Sequence, residues 1–279
     1  MAWETGTAIG HSALLNLVHD FLVKLNWKIE RFVAGKELIA SQTPNNDAEQ
    51  YYYIGFKTVE SVNDDWFNWK IRTGNEYFGN VTFENMPNSS PIKYIHLWQH
   101  DISYYFIGDS RHVKVVAQVS STTRCCYLGK INQFASIAHW PKQTACCGES
   151  DKQSARWSDN PADNYSNFQF VRGGAAHQIQ WVDNTFIPIQ NLYPNMNRQL
   201  SAFAASPGTY SDGSRPLLPI MVMHNTHKSM GEYIGAFFTT NENSGTMQVV
   251  TLPDKSRSFL MVQNVFRNGF NDFMALELV

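Results

Sequence analysis

Short runs rich in Val, Ile, Tyr, Phe and Trp, separated by clusters of Asn, Asp, Gly and Pro, recur from Trp27 to the last residue, and this rhythm constrains the fold more than any other feature. Twelve such runs stand out, among them "YYYIGFKTV", "WFNWKIR", "HVKVVAQV", "EYIGAFFTT" and "FMALELV". Against them stands one helical pattern. Leu14, Leu15, Val18, Phe21, Leu22 and Leu25 share one face of a helix spanning roughly residues 9 to 25. Twelve strands and one helix predict a mainly β (α+β) fold: an antiparallel β-sandwich or set of curved sheets carrying an N-terminal amphipathic helix.

Alternation refines this expectation. In "HVKVVAQV", Val113, Val115 and Ala117 fall on one face and Lys114, Val116 and Gln118 on the other, which predicts a half-buried strand. The polar, aperiodic stretch at 141–168 predicts an irregular excursion. It would separate a helix-plus-β region at 1–140 from a β region at 169–279, two regions able to pack as one domain. A second irregular stretch, 191–216, leaves room for a short helix at Met196–Ala205.

A chain of 279 residues can bury about three quarters of its unfolded surface. Only 16% of its residues are charged while 14% are aromatic, so either the β core is aromatic-rich or the surface is made to meet other proteins. The net charge is −2 and Lys and Arg do not cluster, so no footprint for nucleic acid can be drawn. No apolar run approaches the eighteen or so residues of a membrane span, and no signal-peptide pattern opens the chain. These features predict a soluble protein, neither membrane-inserted nor exported by the general secretory route.

All four cysteines lie in two vicinal pairs, Cys125–Cys126 and Cys146–Cys147, with His139 between them. Neighbours on a strand point to opposite faces, which spoils the convergence a zinc site needs, so each pair reads as one buried thiol beside an exposed one. His96 and His100 are four apart in an extended stretch, and His224 and His227 sit at a strand end, so neither pair suits a metal. Gly108-Asp109-Ser110 reads as a β-turn rather than an esterase block. No phosphate-binding glycine loop is present. The sequence therefore predicts no cofactor, no metal and no catalytic residue: a protein that is not an enzyme. Asp64 and Asp65 beside Trp66 and Trp69 leave three readings open, namely an Asp-rich turn, a carboxylate pair for glycoside hydrolysis, and an aromatic platform for sugar. Trp3, Glu4 and Thr5, in the opening "MAWETGT", read as a polar arm whose tryptophan anchors in a neighbouring subunit.

Three stretches together resemble a family of tailed-bacteriophage virion proteins usually encoded among tail and baseplate genes. They are "WETGTA" at Trp3–Ala8, "SRHVKVVAQVSSTTRCCYLGKI" at residues 110–131, and the C-terminal pair "MGEYIGAFFTT" and "FLMVQNVFRNGFNDFMALELV", the latter at 259–279. The likeness spans nearly the whole chain, lapses between 141 and 215, and contains no catalytic motif. It implies a structural subunit of the virion tail, in the baseplate or distal tail, assembled in the host cytoplasm. Its partners would be copies of itself and other tail proteins. Two rival readings remain: an attachment protein that binds host surface glycan, and a tail-associated glycan hydrolase.

Overall fold

A computed structural model describes residues 1–42, 52–79, 81–134, 143–159, 166–168, 177–181, 183–189, 191–193, 216–224, 226, 228–240, 245–267, 269 and 272–278. Among them the fold is mainly β, with nineteen strands in three antiparallel sheets, one α-helix and one short 3-10 turn. His139, His227 and the helix expected at Met196–Ala205 lie outside the described residues.

The central sheet orders β1 (Ala2–Ile9), β7 (Asp101–Gly108), β8 (His112–Val119), β9 (Thr122–Lys130), β11 (Thr144–Cys147), β12 (His177–Gln180) and β13 (Phe186–Pro188). A second sheet, β2 (Lys28–Val33) to β6 (Lys93–Leu97), is a meander whose β3, β4 and β5 span Glu37–Gln42, Tyr52–Ser61 and Trp66–Gly74. The third runs β14 (Asn191–Tyr193), β15 (Leu218–His224), β16 (Lys228–Thr239), β19 (Phe273–Leu278), β18 (Ser258–Gln263), β17 (Val249–Thr251), with the two-residue β10 (Asn132–Gln133) also on β16. The stretch expected to be irregular at 141–168 contains β11, an interior strand of the central sheet between β9 and β12. "TACC" offers no large apolar residue, so nothing in its letters marks it as a strand.

The central sheet is covered on both faces, and this decides the rest. Phe106, Val113, Val115, Ala117, Cys126, Leu128 and Cys146 point into one core, shared with α1 (Gly10–Lys24) and the β2–β6 sheet. Ile107, Val116, Cys125, Tyr127, Ala145 and Cys147 point into the other, shared with the β14–β19 sheet. The half-buried strand expected at 112–119 is therefore buried on both faces, Lys114 included, with only Gln118 left half-buried. Strands buried on both faces lose the apolar-polar alternation that exposes one face to water.

The helix forms where its leucine stripe predicted. Leu14, Leu15, Val18, Phe21 and Leu22 are its buried face, and Gly10 opens it directly from β1. Gly10 has φ +81°, and a Cβ there would stand 3.3 Å from the Gln99 backbone, so both strain and space call for glycine. No helix among the described residues is long and apolar enough to cross a membrane.

Two corrections follow. "MAWETGT" is not a free arm: residues 2–9 pair without a break against β7, from Ala2 opposite Gly108 to Ile9 opposite Asp101. Trp66 and Trp69 form no surface platform either. Trp69 is fully buried, its indole N–H donating to the His11 carbonyl at 2.9 Å, and Trp66 is 9% exposed. Asp64 and Asp65 sit on the β4–β5 hairpin turn, where Ser61 Oγ donates to Asp64 Oδ2 at 2.8 Å and Asp65 has φ +55°.

Candidate functional site

Four places concentrate polar chemistry, and three are sealed inside. The first fastens the β2–β6 sheet to the central one. Arg124 on β9 donates through Nη1 to Glu149 Oε2 at 2.8 Å, and His96 Nδ1 on β6 lies 3.3 Å from the same oxygen. All three side chains are inaccessible to solvent. Arg124 also donates to the Trp157 carbonyl and, at 3.3 Å, to Thr122 Oγ1. A guanidinium with carboxylate, carbonyl and hydroxyl acceptors is well satisfied, and a cation held there leaves no vacancy for a metal. His96 is buried while His100 is exposed.

The second joins the central sheet to the β14–β19 sheet. Tyr233 on β16 has its hydroxyl 3.1 Å from both Cys147 Sγ and His177 Nδ1. A thiol in reach of a histidine through a hydroxyl resembles a relay, but burial pushes the Cys147 thiol well above its ordinary value. A protonated thiol away from solvent is not a nucleophile.

Lys114 is the third. Its Nζ donates to the carbonyls of Ile234 at 2.7 Å and Gly235 at 3.1 Å. The β15–β16 register shifts just there, and Gly235 has φ +60°, so the irregularity turns carbonyls away from their ladder and the lysine takes them up. Burial depresses the Lys114 ammonium to about 7. Beside it, Asp109 Oδ1 lies 3.0 Å from His112 Nδ1 and accepts from the Arg111 backbone N–H at 2.8 Å, which closes the expected β-turn at Gly108–Ser110. Burial holds His112 neutral, its pKa lowered to about 4.

The vicinal cysteines are explained by the same layering. Each pair straddles the central sheet, Cys126 and Cys146 in one core and Cys125 and Cys147 in the other, and all four are fully buried and unbridged. The expected exposed member of each pair does not exist, because a second sheet covers the face on which it would lie. Burial raises all four thiols, Cys146 to about 11. A thiol reagent should leave the native protein unlabelled and titrate four thiols after denaturation in guanidinium. Rapid native labelling of even one would contradict the layered packing.

The fourth place is the open edge of the central sheet, and it holds Trp3, Glu4 and Thr5. Trp3 is 45% exposed and stacks beside Tyr105 at 6.0 Å, while Ile9, at the other end of the same face, is 75% exposed. Thr5 Oγ1 donates to the Tyr104 carbonyl at 2.7 Å, and Lys24 on the helix donates to Glu4 Oε2 at 2.6 Å. The expected site residues Trp3, Glu4 and Thr5 thus lie together on one strand, far in role from the buried Trp66 and Trp69. A half-buried aromatic pair that sequence reasoning missed is Trp98 with Trp157, edge to face at 5.2 Å; the two are 59 positions apart (157 − 98), and only folding brings their indoles together.

Among the described residues no group of three or more His, Cys, Asp or Glu side chains is arranged to hold a metal ion. The fold and the open edge define a three-layered antiparallel β protein whose edge strand β1 exposes Trp3 and Ile9. No family model and no curated protein matches the chain.

Proposed function

We propose that this chain is a structural subunit of a bacteriophage tail, placed in the baseplate or distal tail and working through contacts with its own copies and with other tail proteins. The observation that carries the reading is the β1 edge: an eight-residue strand, continuous in register, that presents Trp3 and Ile9 to solvent. Exposed apolar side chains on an unprotected sheet edge suit association, and a free protein ordinarily guards such an edge. Sequence likeness supports the same reading. Trp3–Ala8 falls on β1, residues 110–131 take in β8 and β9, residues 230–239 fall on β16, and residues 259–279 take in most of β18 and all of β19, so the resembling stretches carry sheet-forming strands.

Immunogold labelling of purified virions with antibody against the chain tests the proposal. Gold at the tail end remote from the capsid is the expected result. Virions that contain none of the chain, by labelling and by mass spectrometry, overturn it.

A further inference from the structure

We propose that two copies of this chain join edge to edge through β1, antiparallel, about a two-fold axis passing through Gly6. The inference rests on the subunit reading above and deepens it by naming the partner at this edge: a second copy.

The ladder fixes which backbone groups are free. Gly10 N–H donates to the His100 carbonyl at 2.9 Å, extending a register in which Ile9 faces Asp101 and Ala8 faces Ile102. Hydrogen-bonded pairs alternate along an antiparallel ladder. Ala8, Gly6, Glu4 and Ala2 therefore bond inward to β7, while Trp3, Thr5, Thr7 and Ile9 turn their N–H and C=O outward. Among the described residues no strand pairs with that outer side. Three devices that ordinarily blunt an edge are missing, since "AWETGTAI" holds no proline and no lysine and its pairing has no bulge, and its one charge, Glu4, is paired with Lys24.

Only registers that set odd residues opposite odd residues let these groups bond, and among them two-fold axes through Thr5 or through Gly6 keep the longest overlap of the eight-residue strand. Charge and apolar matching choose between them. About Gly6, Trp3 faces Ile9 of the second copy, Thr5 faces Thr7, and Glu4 faces Ala8. Each exposed apolar side chain then gains an apolar partner across the strand. The two Glu4 carboxylates stand about 14 Å apart, against about 8 Å for an axis through Thr5, by strand rise and spacing. The axis also meets a residue with no side chain, over which Tyr104 already lies: a Cβ on Gly6 would be 2.8 Å from the Tyr104 hydroxyl oxygen. Helix α1 supplies further complementarity. Lys24 is paired with Glu4 and has Asp20 one helical turn away, and antiparallel packing runs this row of charges on one copy in the opposite sense to that on the other. The seven-stranded central sheet would become continuous across both copies.

Disulfide trapping tests the register. Thr5→Cys and Thr7→Cys chains are made separately, mixed and mildly oxidised; both positions are exposed, and the four native thiols are buried. The mixture should give a non-reducing band of twice the 31.8 kDa chain mass. Neither variant alone should give it, since identical positions then sit about 8 Å apart, beyond disulfide reach. Cross-linking of Thr5→Cys with itself would instead place the axis at Thr5 and overturn the Gly6 register. Thr7→Pro removes one outward N–H and no backbone bond to β7, so it should convert the wild-type dimer seen by light scattering to monomer while leaving the thermal transition in place. A wild-type chain that is monomeric at high micromolar concentration, with no cross-link in the mixture, overturns the pairing. That failure in a chain still present in virions leaves the tail assignment standing, whereas a cross-linked chain absent from virions removes the tail assignment and keeps the pairing.

Discussion

Glu149→Ala is expected to cost about 3–5 kcal/mol, the range for removing one partner of a buried ion pair. Glu149 and Arg124 are both inaccessible to solvent and 2.8 Å apart. Arginine does not shed its proton inside a protein, so the variant must either keep an unpaired guanidinium in the core or open the junction to water. His96, 3.3 Å from the same carboxylate oxygen, loses its neighbour as well. For a chain of this size the loss corresponds to a fall of roughly 10 °C in Tm. Urea midpoints at constant m read it directly. The double variant Arg124→Met/Glu149→Met discriminates between causes. Where an unpaired charge does the damage, two apolar replacements recover part of the loss, and the double variant is more stable than Glu149→Ala alone. A loss below about 1 kcal/mol would show that the cluster does not fasten these two sheets.

Much of this fold was legible in the letters, and what was missed has one physical origin. The helix stripe at Leu14, Leu15, Val18, Phe21 and Leu22 gave the helix to within a residue or two of Gly10–Lys24, because an amphipathic face has a period that any single buried side produces. The long strands β4, β5, β8 and β16 were marked by their aromatic and β-branched runs. β9 was not, since "TTRCCYLGK" mixes arginine with small residues; its Arg124 is acceptable in the core only because Glu149, distant by 25 positions, arrives beside it. The same reasoning covers Lys114, whose acceptors come from β16. Single-face alternation assumed that one side of each strand meets water. A sheet clamped between two others breaks that assumption, and with it the expectation for the vicinal cysteines; Trp69, on β5 of an outer sheet, is buried because its side chain falls on the face that packs into the core shared with α1. The candidate edge was half legible. Trp3, Glu4 and Thr5 were singled out as contact residues, but pairing with β7 over the full strand is long-range, and no local pattern distinguishes an arm from an edge strand.

Stability should rise with pH from about 4 to about 8 and then fall steeply, because two sets of buried groups pull in opposite directions. His11 and His112, lowered to about 4 by burial, bind protons in the unfolded chain before they do so in the folded one, so stability is lost as pH drops from about 6.5 to 4. Lys114 extends the rise. Burial lowers it to about 7, while in the unfolded chain it holds its proton to about pH 10, so between these values the unfolded state binds more protons and stability climbs with pH. The four thiols act with the reverse sign. Unfolded thiols ionise near pH 8.5, whereas Cys125, Cys126, Cys146 and Cys147 are raised by burial and stay protonated, so above that pH the folded state binds more protons and stability falls. One lysine contributes at most about 1.4 kcal/mol per pH unit and four thiols at most about 5, so the alkaline limb is the steeper. Lys114→Met should flatten the limb between about pH 7 and 8.5 and leave the alkaline fall intact. It also strands the Ile234 and Gly235 carbonyls, lowering the whole curve by about 1–3 kcal/mol, so slope rather than height is the readout. Urea midpoints for both proteins across this range decide it. A rise that survives the substitution would mean that Lys114 does not titrate in the folded core, and a flat alkaline limb would mean that the thiols are not held protonated between the sheets.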